Sequence, residues 1–82
     1  MRTVTLYSRP GCHLCEAAKT ALLRVRARAS FELDEINIED HDALHARYLE
    51  RIPVIALDGE ELFDYFVDEE ALTRRILYRE GG

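Results

Sequence analysis

The 82-residue sequence has few basic residues. It has 11 lysines and arginines against 16 aspartates and glutamates, so its formal net charge at pH 7 is −5. Nucleic acids and anionic membranes bind proteins through basic patches or tails, and this composition argues against both as primary partners. Glycine (4) and proline (2) are also scarce, while apolar residues make up 48% of the chain, which excludes a disordered or fibrous protein.

Long apolar segments are absent as well. No stretch approaches the ~20 apolar residues that a membrane-spanning helix needs. The first residues, MRTVTLYSRPG, alternate between polar and apolar positions instead of forming the apolar core of a signal peptide. We therefore expect no membrane partner and a cytoplasmic location. Because no repeat or linker interrupts the chain, residues 1–82 are predicted to form a single domain.

Hydrophobic periodicity predicts the element order β-α-β-α-β-β-α. TVTLY (3–7) alternates like a strand, and the stretch from Cys12 to about Ala29 is rich in helix-forming residues without Gly or Pro. FELDEINI (31–38) is predicted to be a strand with a bulge or with burial on both faces, because its apolar positions change parity. The first helix is predicted to bury a stripe of residues at helical spacing: Leu14, Ala18, Leu22, Val25 and Ala29.

The second half of the chain continues the pattern. EDHDALHARYLE (39–50) predicts a short helix capped by Asp40, with Tyr48 facing inward. RIPVIALD contains an unbroken apolar run that is typical of a strand buried on both faces, and Asp58-Gly59 predicts a hairpin turn into EELFDYF. DEEALTRRILYREGG has acids first, arginines late and glycines last, which is the order expected of a final helix.

These elements predict an α/β fold. A strand–helix–strand start implies a parallel pair joined by a right-handed crossover, and the tight Asp58-Gly59 turn makes the last two strands antiparallel. We therefore expect a four-stranded mixed sheet with helices on both faces.

Cysteine occurs only twice, at Cys12 and Cys15, after the turn-forming SRPG and at the predicted start of the first helix. Residues three apart on a helix have β-carbons about 5–6 Å apart, so a modest adjustment lets their sulfur atoms bond. The unpaired N–H groups and the dipole of the first turn favour a thiolate at Cys12, and Arg9 and His13 can add positive charge or hydrogen-bond donors. We predict a redox couple in which Cys12 attacks a substrate disulfide and the less exposed Cys15 resolves the mixed disulfide.

Two other interpretations of the cysteine pair stay open. Both residues can be small members of the core, or they can form half of a zinc site with His41 and His45, whose spacing puts both rings on one helical face. The 25 residues between the pairs exceed the roughly 12 to 15 of a usual zinc finger. Helices on opposite faces of a sheet would also separate the histidines from the cysteines. We therefore predict no metal site.

Three stretches, TLYSRPGCHLC, IPVI and DGEEL, resemble the glutaredoxin-like branch of the thioredoxin-fold family over essentially the full chain. In that family the proline before the third strand is cis and lies beside the cysteines, which the resemblance implies for Pro53. It also implies that the Ile52 backbone hydrogen-bonds an extended substrate, and that the adjacent Arg51 can meet a substrate carboxylate. The implied function is thiol–disulfide exchange. With Arg9 and His13, which are predicted from their position beside Cys12, the expected substrate-binding residues are Arg9, His13, Arg51, Ile52 and Pro53.

The sequence departs from this family in two places. His13 and Leu14 stand between the cysteines where Pro-Tyr is usual, and FDYF (63–66) stands near the Gly-Gly of glutathione-using members, whose glycines let backbone approach glutathione. We expect disulfide-containing proteins or small thiols as substrates, glutathione as a possible co-substrate, thioredoxin reductase or glutathione as electron donor, and no bound cofactor. The alternative is a thioredoxin-fold binding module without turnover, in which 63–66 serves a partner surface.

Overall fold

The chain folds into the seven main elements that its periodicity predicts. The structure, a computed structural model, describes residues 2–78. A short 3₁₀ helix, Ile38–Asp40, lies between the second strand and the second α-helix. The strands are β1 (Thr3–Ser8), β2 (Glu32–Asn37), β3 (Val54–Leu57) and β4 (Glu60–Asp64), and the helices are α1 (His13–Arg28), α2 (Asp42–Tyr48) and α3 (Glu69–Leu77).

The sheet is mixed, as predicted, with strand order β2-β1-β3-β4. β1 and β2 are parallel, and β3 is antiparallel to both of its neighbours. The β3–β4 turn has φ of 50° at Asp58 and 90° at Gly59, which is the left-handed backbone that makes Asp-Gly a hairpin signal. The Asp58 carboxylate accepts hydrogen bonds from the Thr3 N–H (2.9 Å) and from Arg2 (2.8 Å), so this turn is fastened to the start of β1.

The larger apolar cluster lies between one face of the sheet and helices α1 and α3. Alternate residues of β1 and β3 face it, and the inner sides of both helices cover them. Burial of this apolar surface is the main source of stability for a sheet that is only four strands wide. Its buried members are Val4, Leu6, Ala18, Leu22, Val25, Ala29, Phe31, Ile55, Leu57, Leu72 and Ile76.

A second cluster lies on the opposite face of the sheet and reaches the cysteines. Tyr7 of β1 points away from Leu6, and its ring stacks on Tyr48 of α2 with centroids 4.6 Å apart. The predicted arrangement of helices on both faces is therefore confirmed. The buried members are Cys15, Ile38, Tyr48, Ile52 and Val54, with Tyr7, Cys12 and Leu44 packed against them.

Two predictions about the helices are wrong. Leu14 is 56% exposed, although the other four residues of its predicted stripe are buried; in this first turn Cys15 takes the inward position. Asp40 does not cap α2, because the 3₁₀ helix after β2 delays the start of α2, and His41 becomes its N-cap without a side-chain hydrogen bond.

Of the two alternatives predicted for residues 31–38, a bulge or burial on both faces, the structure has the second. β2 pairs with β1 in continuous register, and the parity change reflects burial on both faces, since Leu33 packs on the first cluster and Ile38 on the second. The sheet does have a register shift, but it lies in the β3–β4 pair between Ile55 and Ala56. The final glycines, 81–82, lie outside the described residues. Within residues 2–78, no helix is long and apolar enough to cross a membrane.

Replacement of Leu22 with alanine tests the larger cluster. Leu22 is fully buried and its neighbour Leu23 is exposed on the outer side of α1. We expect Leu22→Ala to lower the free energy of unfolding by about 2–5 kcal/mol, and Leu23→Ala to change it by about 0.5 kcal/mol or less. Urea unfolding followed by circular dichroism measures both, and equal losses would contradict this packing.

Candidate redox site

Cys12 and Cys15 form a disulfide at the start of α1, with their Cα atoms 5.2 Å apart. Gly11, at φ +77°, supplies the left-handed turn that leads into the helix. Cys12, predicted as the first residue of the helix, is instead its N-cap, because α1 begins at His13. The Cys12 sulfur accepts a hydrogen bond from the Cys15 N–H at 3.1 Å. The sulfur therefore takes the position that a serine or aspartate oxygen usually occupies at a helix N-terminus.

The two sulfur atoms have different surroundings. Cys15 is only 4% exposed and packs in the second cluster, whereas Cys12 is half-buried and borders it. When the pair is reduced, the capping N–H and the positive end of the helix dipole stabilise negative charge on the Cys12 sulfur. The more accessible sulfur is thus also the better stabilised as a thiolate.

A surface cleft of about 450 Å³ opens beside the disulfide, and both cysteines line it. Arg9 lies in its wall, together with Lys19 and Glu35, whose side chains are 3.0 Å apart. The hydroxyl of the buried Ser8 donates to the same Glu35 carboxylate at 3.3 Å. A substrate that enters this cleft meets positive and negative groups close to the sulfur atoms.

Sequence reasoning did not identify Ser8, Glu35 or Asn37 as cleft residues. A usable signal was present, because Ser8 and Asn37 are paired at the carboxyl ends of the parallel strands β1 and β2. Ligand sites in α/β sheets gather at such ends.

The residues around the proline are close to the site but mostly buried. The Ile52-Pro53 bond is cis, as the family resemblance implies, and Pro53 is fully buried. Ile52 packs in the same cluster as Cys15. Its N–H donates to the Tyr48 carbonyl at 3.1 Å, so this amide is used within the protein, and pairing with a substrate strand requires other backbone groups.

His13 and Arg51, two further predicted substrate contacts, have different settings. The His13 side chain is 98% exposed, and its Nδ1 lies 3.9 Å from a Glu16 carboxylate oxygen. Arg51 forms ion pairs with two acidic residues of β4, Glu61 at 2.8 Å and Asp64 at 3.4 Å. A substrate carboxylate would have to compete with these two partners.

Glu61 is the centre of the network that holds the proline segment to β4. It accepts a hydrogen bond from the Tyr48 hydroxyl at 2.7 Å, in addition to its ion pair with Arg51. These partners favour the charged carboxylate and hold the pKa of Glu61 below its ordinary value. Burial, followed by the bond to Glu61, raises the pKa of Tyr48.

The four residues of the alternative zinc site are not gathered into one cluster. Among residues 2–78, the structure contains no group of three or more His, Cys, Asp or Glu side chains placed to hold a metal ion. His41 occupies the N-cap position of α2, and the cysteines are bonded to each other.

Fold and site together define a small thioredoxin-like domain with a disulfide at a helix start. The family model described as Glutaredoxin-like domain (DUF836) matches residues 3–77. The chain belongs to this glutaredoxin-like family, as its resemblance predicts.

Individual relatives agree with this assignment. An uncharacterized protein of Mycobacterium tuberculosis is 30% identical over 78 residues, which cover 89% of this chain and 80% of the relative. The solution structure of protein Ne2328 from Nitrosomonas europaea is 34% identical with a TM-score of 0.80, covering 92% of this chain and 91% of that one. A mutant thioredoxin from Halobacterium salinarum shares the fold at 20% identity and a TM-score of 0.66, covering 92% and 71%.

The Glu61 network makes stability depend on pH. Because the folded pKa of Glu61 is below its ordinary 4.5, its contribution is present above pH 4.5 and is lost as pH falls through the folded pKa. We expect Glu61→Gln to lower the free energy of unfolding by about 1 kcal/mol at pH 7. This loss should become smaller as the pH decreases below 4.5. Urea unfolding at several pH values measures this difference.

The matched control is Glu32→Gln, at an exposed glutamate on the edge strand β2. The free energy of unfolding of this control variant should stay close to that of the original protein over the same pH range. If Glu61→Gln lowered the free energy of unfolding by the same amount at every pH, the charged Glu61 carboxylate would not be the group that stabilises the fold.

Proposed function

We propose that the protein is a thiol–disulfide oxidoreductase in which Cys12 is the nucleophile and Cys15 is the resolving cysteine. The observation that carries this proposal is the hydrogen bond from the Cys15 N–H to the Cys12 sulfur at the start of α1. It favours the thiolate at the more accessible sulfur of the pair. Membership of a glutaredoxin-like family supports the same chemistry.

The reaction consists of two exchanges. The Cys12 thiolate of the reduced protein attacks one sulfur of a substrate disulfide, which forms a mixed disulfide and releases the other substrate sulfur as a thiolate. The Cys15 thiolate, formed by loss of the thiol proton to solvent, then attacks the Cys12 sulfur. The second substrate thiolate leaves and the Cys12–Cys15 disulfide forms, so the substrate gains two electrons and the protein loses two.

A reductant must then return the pair to the dithiol. We propose that thioredoxin reductase or glutathione supplies these electrons, and that the substrates are the disulfides of proteins or of small thiols in the cytoplasm, where the compartment favours reduced cysteines. No resident cofactor takes part in this exchange. Arg9 is suited to contact a substrate in the cleft, because it lines the same opening as both cysteines.

Serine variants of the two cysteines test the assigned roles. We expect Cys12→Ser to reduce the rate of insulin disulfide reduction to the uncatalysed background, because the attacking sulfur is lost. Cys15→Ser should still react once and then accumulate a mixed disulfide on Cys12, which mass spectrometry of the intact protein detects as a covalent adduct.

The Cys15→Ser variant serves as the control for Cys12→Ser, since both remove the same disulfide from the fold. Reduction of insulin by Cys12→Ser at the original rate would rule out the mechanism. A substrate adduct on Cys15 in the Cys12→Ser variant would indicate that Cys15, not Cys12, is the nucleophile.

A redox titration addresses the use of glutathione. The purified protein is equilibrated in buffers of reduced and oxidised glutathione, and its species are counted by mass spectrometry. We expect a single reversible transition between dithiol and internal disulfide, with little glutathione adduct, because Cys15 resolves such adducts and bulky side chains occupy 63–66. A glutathione adduct that dominates near the midpoint would instead indicate specific glutathione binding.

A further inference from the structure

A second opening, here called the α1 groove, begins at the redox site and follows helix α1. Its volume is about 200 Å³. Leu14, which lies between the two cysteines, forms one end, and the ion pair of Arg24 and Glu69, at 2.7 Å, closes the other. The floor consists of Ala17, Ala18 and Ala21, and the wall consists of Tyr65, Phe66 and Val67.

The rim of the α1 groove exposes large apolar side chains. Leu14 is 56%, Tyr65 49% and Phe66 67% exposed. Together with the alanines they line one opening that includes Leu14 of the disulfide loop, and contiguous apolar surface of this kind marks interaction sites. Its continuity with the proposed site of disulfide exchange indicates that a substrate, rather than an unrelated partner, covers it.

The wall of the groove is held in place by an uncommon backbone conformation. Tyr65 has φ of +71°, a left-handed value that is unfavourable for a bulky residue and is concentrated at functional sites. Two hydrogen bonds hold it there: its N–H donates to the Pro53 carbonyl at 2.8 Å and its hydroxyl donates to the Glu50 carbonyl. The turn before α3 is thereby fixed to the proline segment, with Phe66 left exposed beside it.

Charge around the α1 groove limits what can occupy it. The segment 64–70, DYFVDEE, contains four acids and no lysine or arginine. Two of these acids are paired with arginines, Glu69 with Arg24 and Asp64 with Arg51, so the excess negative charge of the segment comes from Asp68 and Glu70. A cationic occupant is favoured by this surface, whereas the carboxylates of glutathione are not.

We propose that the α1 groove docks an apolar side chain of a peptide or protein disulfide whose reactive cysteine is flanked by lysine or arginine. This inference rests on the proposed function and names its substrate class. Ala17 is five residues after Cys12 and therefore lies about 7.5 Å from it along the helix axis, and an extended peptide covers about 3.3 Å per residue. A side chain about two residues from the substrate cysteine therefore reaches the groove while Cys12 attacks.

Peptides that each carry one cysteine as a mixed disulfide with thionitrobenzoate test this proposal. The reduced protein attacks the peptide sulfur, and the released thionitrobenzoate is followed by absorbance. The first peptide has phenylalanine two residues from its cysteine and flanking lysines, the second replaces phenylalanine with alanine, and the third replaces the lysines with glutamates. We expect the first to react about tenfold faster than the second, and faster than the third at low salt.

Two variants change the groove in opposite ways. Phe66→Ala removes the wall, and Ala17→Leu, at an exposed floor position, fills the space. Each should lower the ratio of the reaction rates of the first and second peptides to about twofold. The ratio is the quantity to compare, because within one protein it cancels differences in cysteine reactivity. Leu23→Ala, which removes an exposed leucine elsewhere on α1, should keep the ratio, and thermal unfolding of all variants checks that they are folded.

The possible outcomes separate this proposal from the proposed function. If the reduced protein reacts with none of the peptides and does not reduce 2-hydroxyethyl disulfide, thiol–disulfide exchange itself is wrong. If all peptides react at equal rates, or if the preference for phenylalanine survives both Phe66→Ala and Ala17→Leu, only the α1 groove is refuted. If the glutamate peptide reacted faster than the lysine peptide, the proposed preference of the α1 groove for basic substrates would be wrong.

Discussion

The hydrogen bond between the Cys15 amide and the Cys12 sulfur is the interaction on which the site depends. It makes one sulfur part of the helix N-terminus and leaves the other inside the second cluster, so that a symmetric pair of residues becomes chemically unequal. Gly11 provides the turn that brings Cys12 to this position from the end of β1. The sheet supplies a rigid base for the turn, because β1 is central and hydrogen-bonded on both sides.

The two sides of the disulfide differ in character. The cleft along β1 and β2 is polar, with Arg9, Lys19 and Glu35 in its wall, whereas the α1 groove is apolar with an acidic surround. A substrate backbone that crosses the sulfur atoms is therefore exposed to polar groups on one side and apolar groups on the other. In the proposed reaction, such asymmetry would distinguish the two directions in which a substrate peptide can cross the sulfur atoms.

Most of the fold could be predicted from the sequence because its signals are local and agree with one another. The alternation in β1, the Asp58-Gly59 turn and the spacing of the cysteines each define a short segment. The incorrect predictions depend on tertiary surroundings: helical spacing made Leu14 look buried, but what covers the first turn is set by distant elements. The 3₁₀ turn that displaced Asp40 as a cap has no strong periodic signal, and Glu35 joined the cleft only through strand pairing.

The fastening of the β3–β4 turn to the start of β1 has a practical consequence. Asp58 binds Arg2 and Thr3 at the end of β1 that is farthest from the cysteines, and the six residues of β1 separate the two ends by about 20 Å. A fluorescent domain or affinity tag fused ahead of Arg2 would emerge on the side of the molecule opposite the sulfur atoms. Immobilisation through that end would present the reactive edge to the surrounding solution.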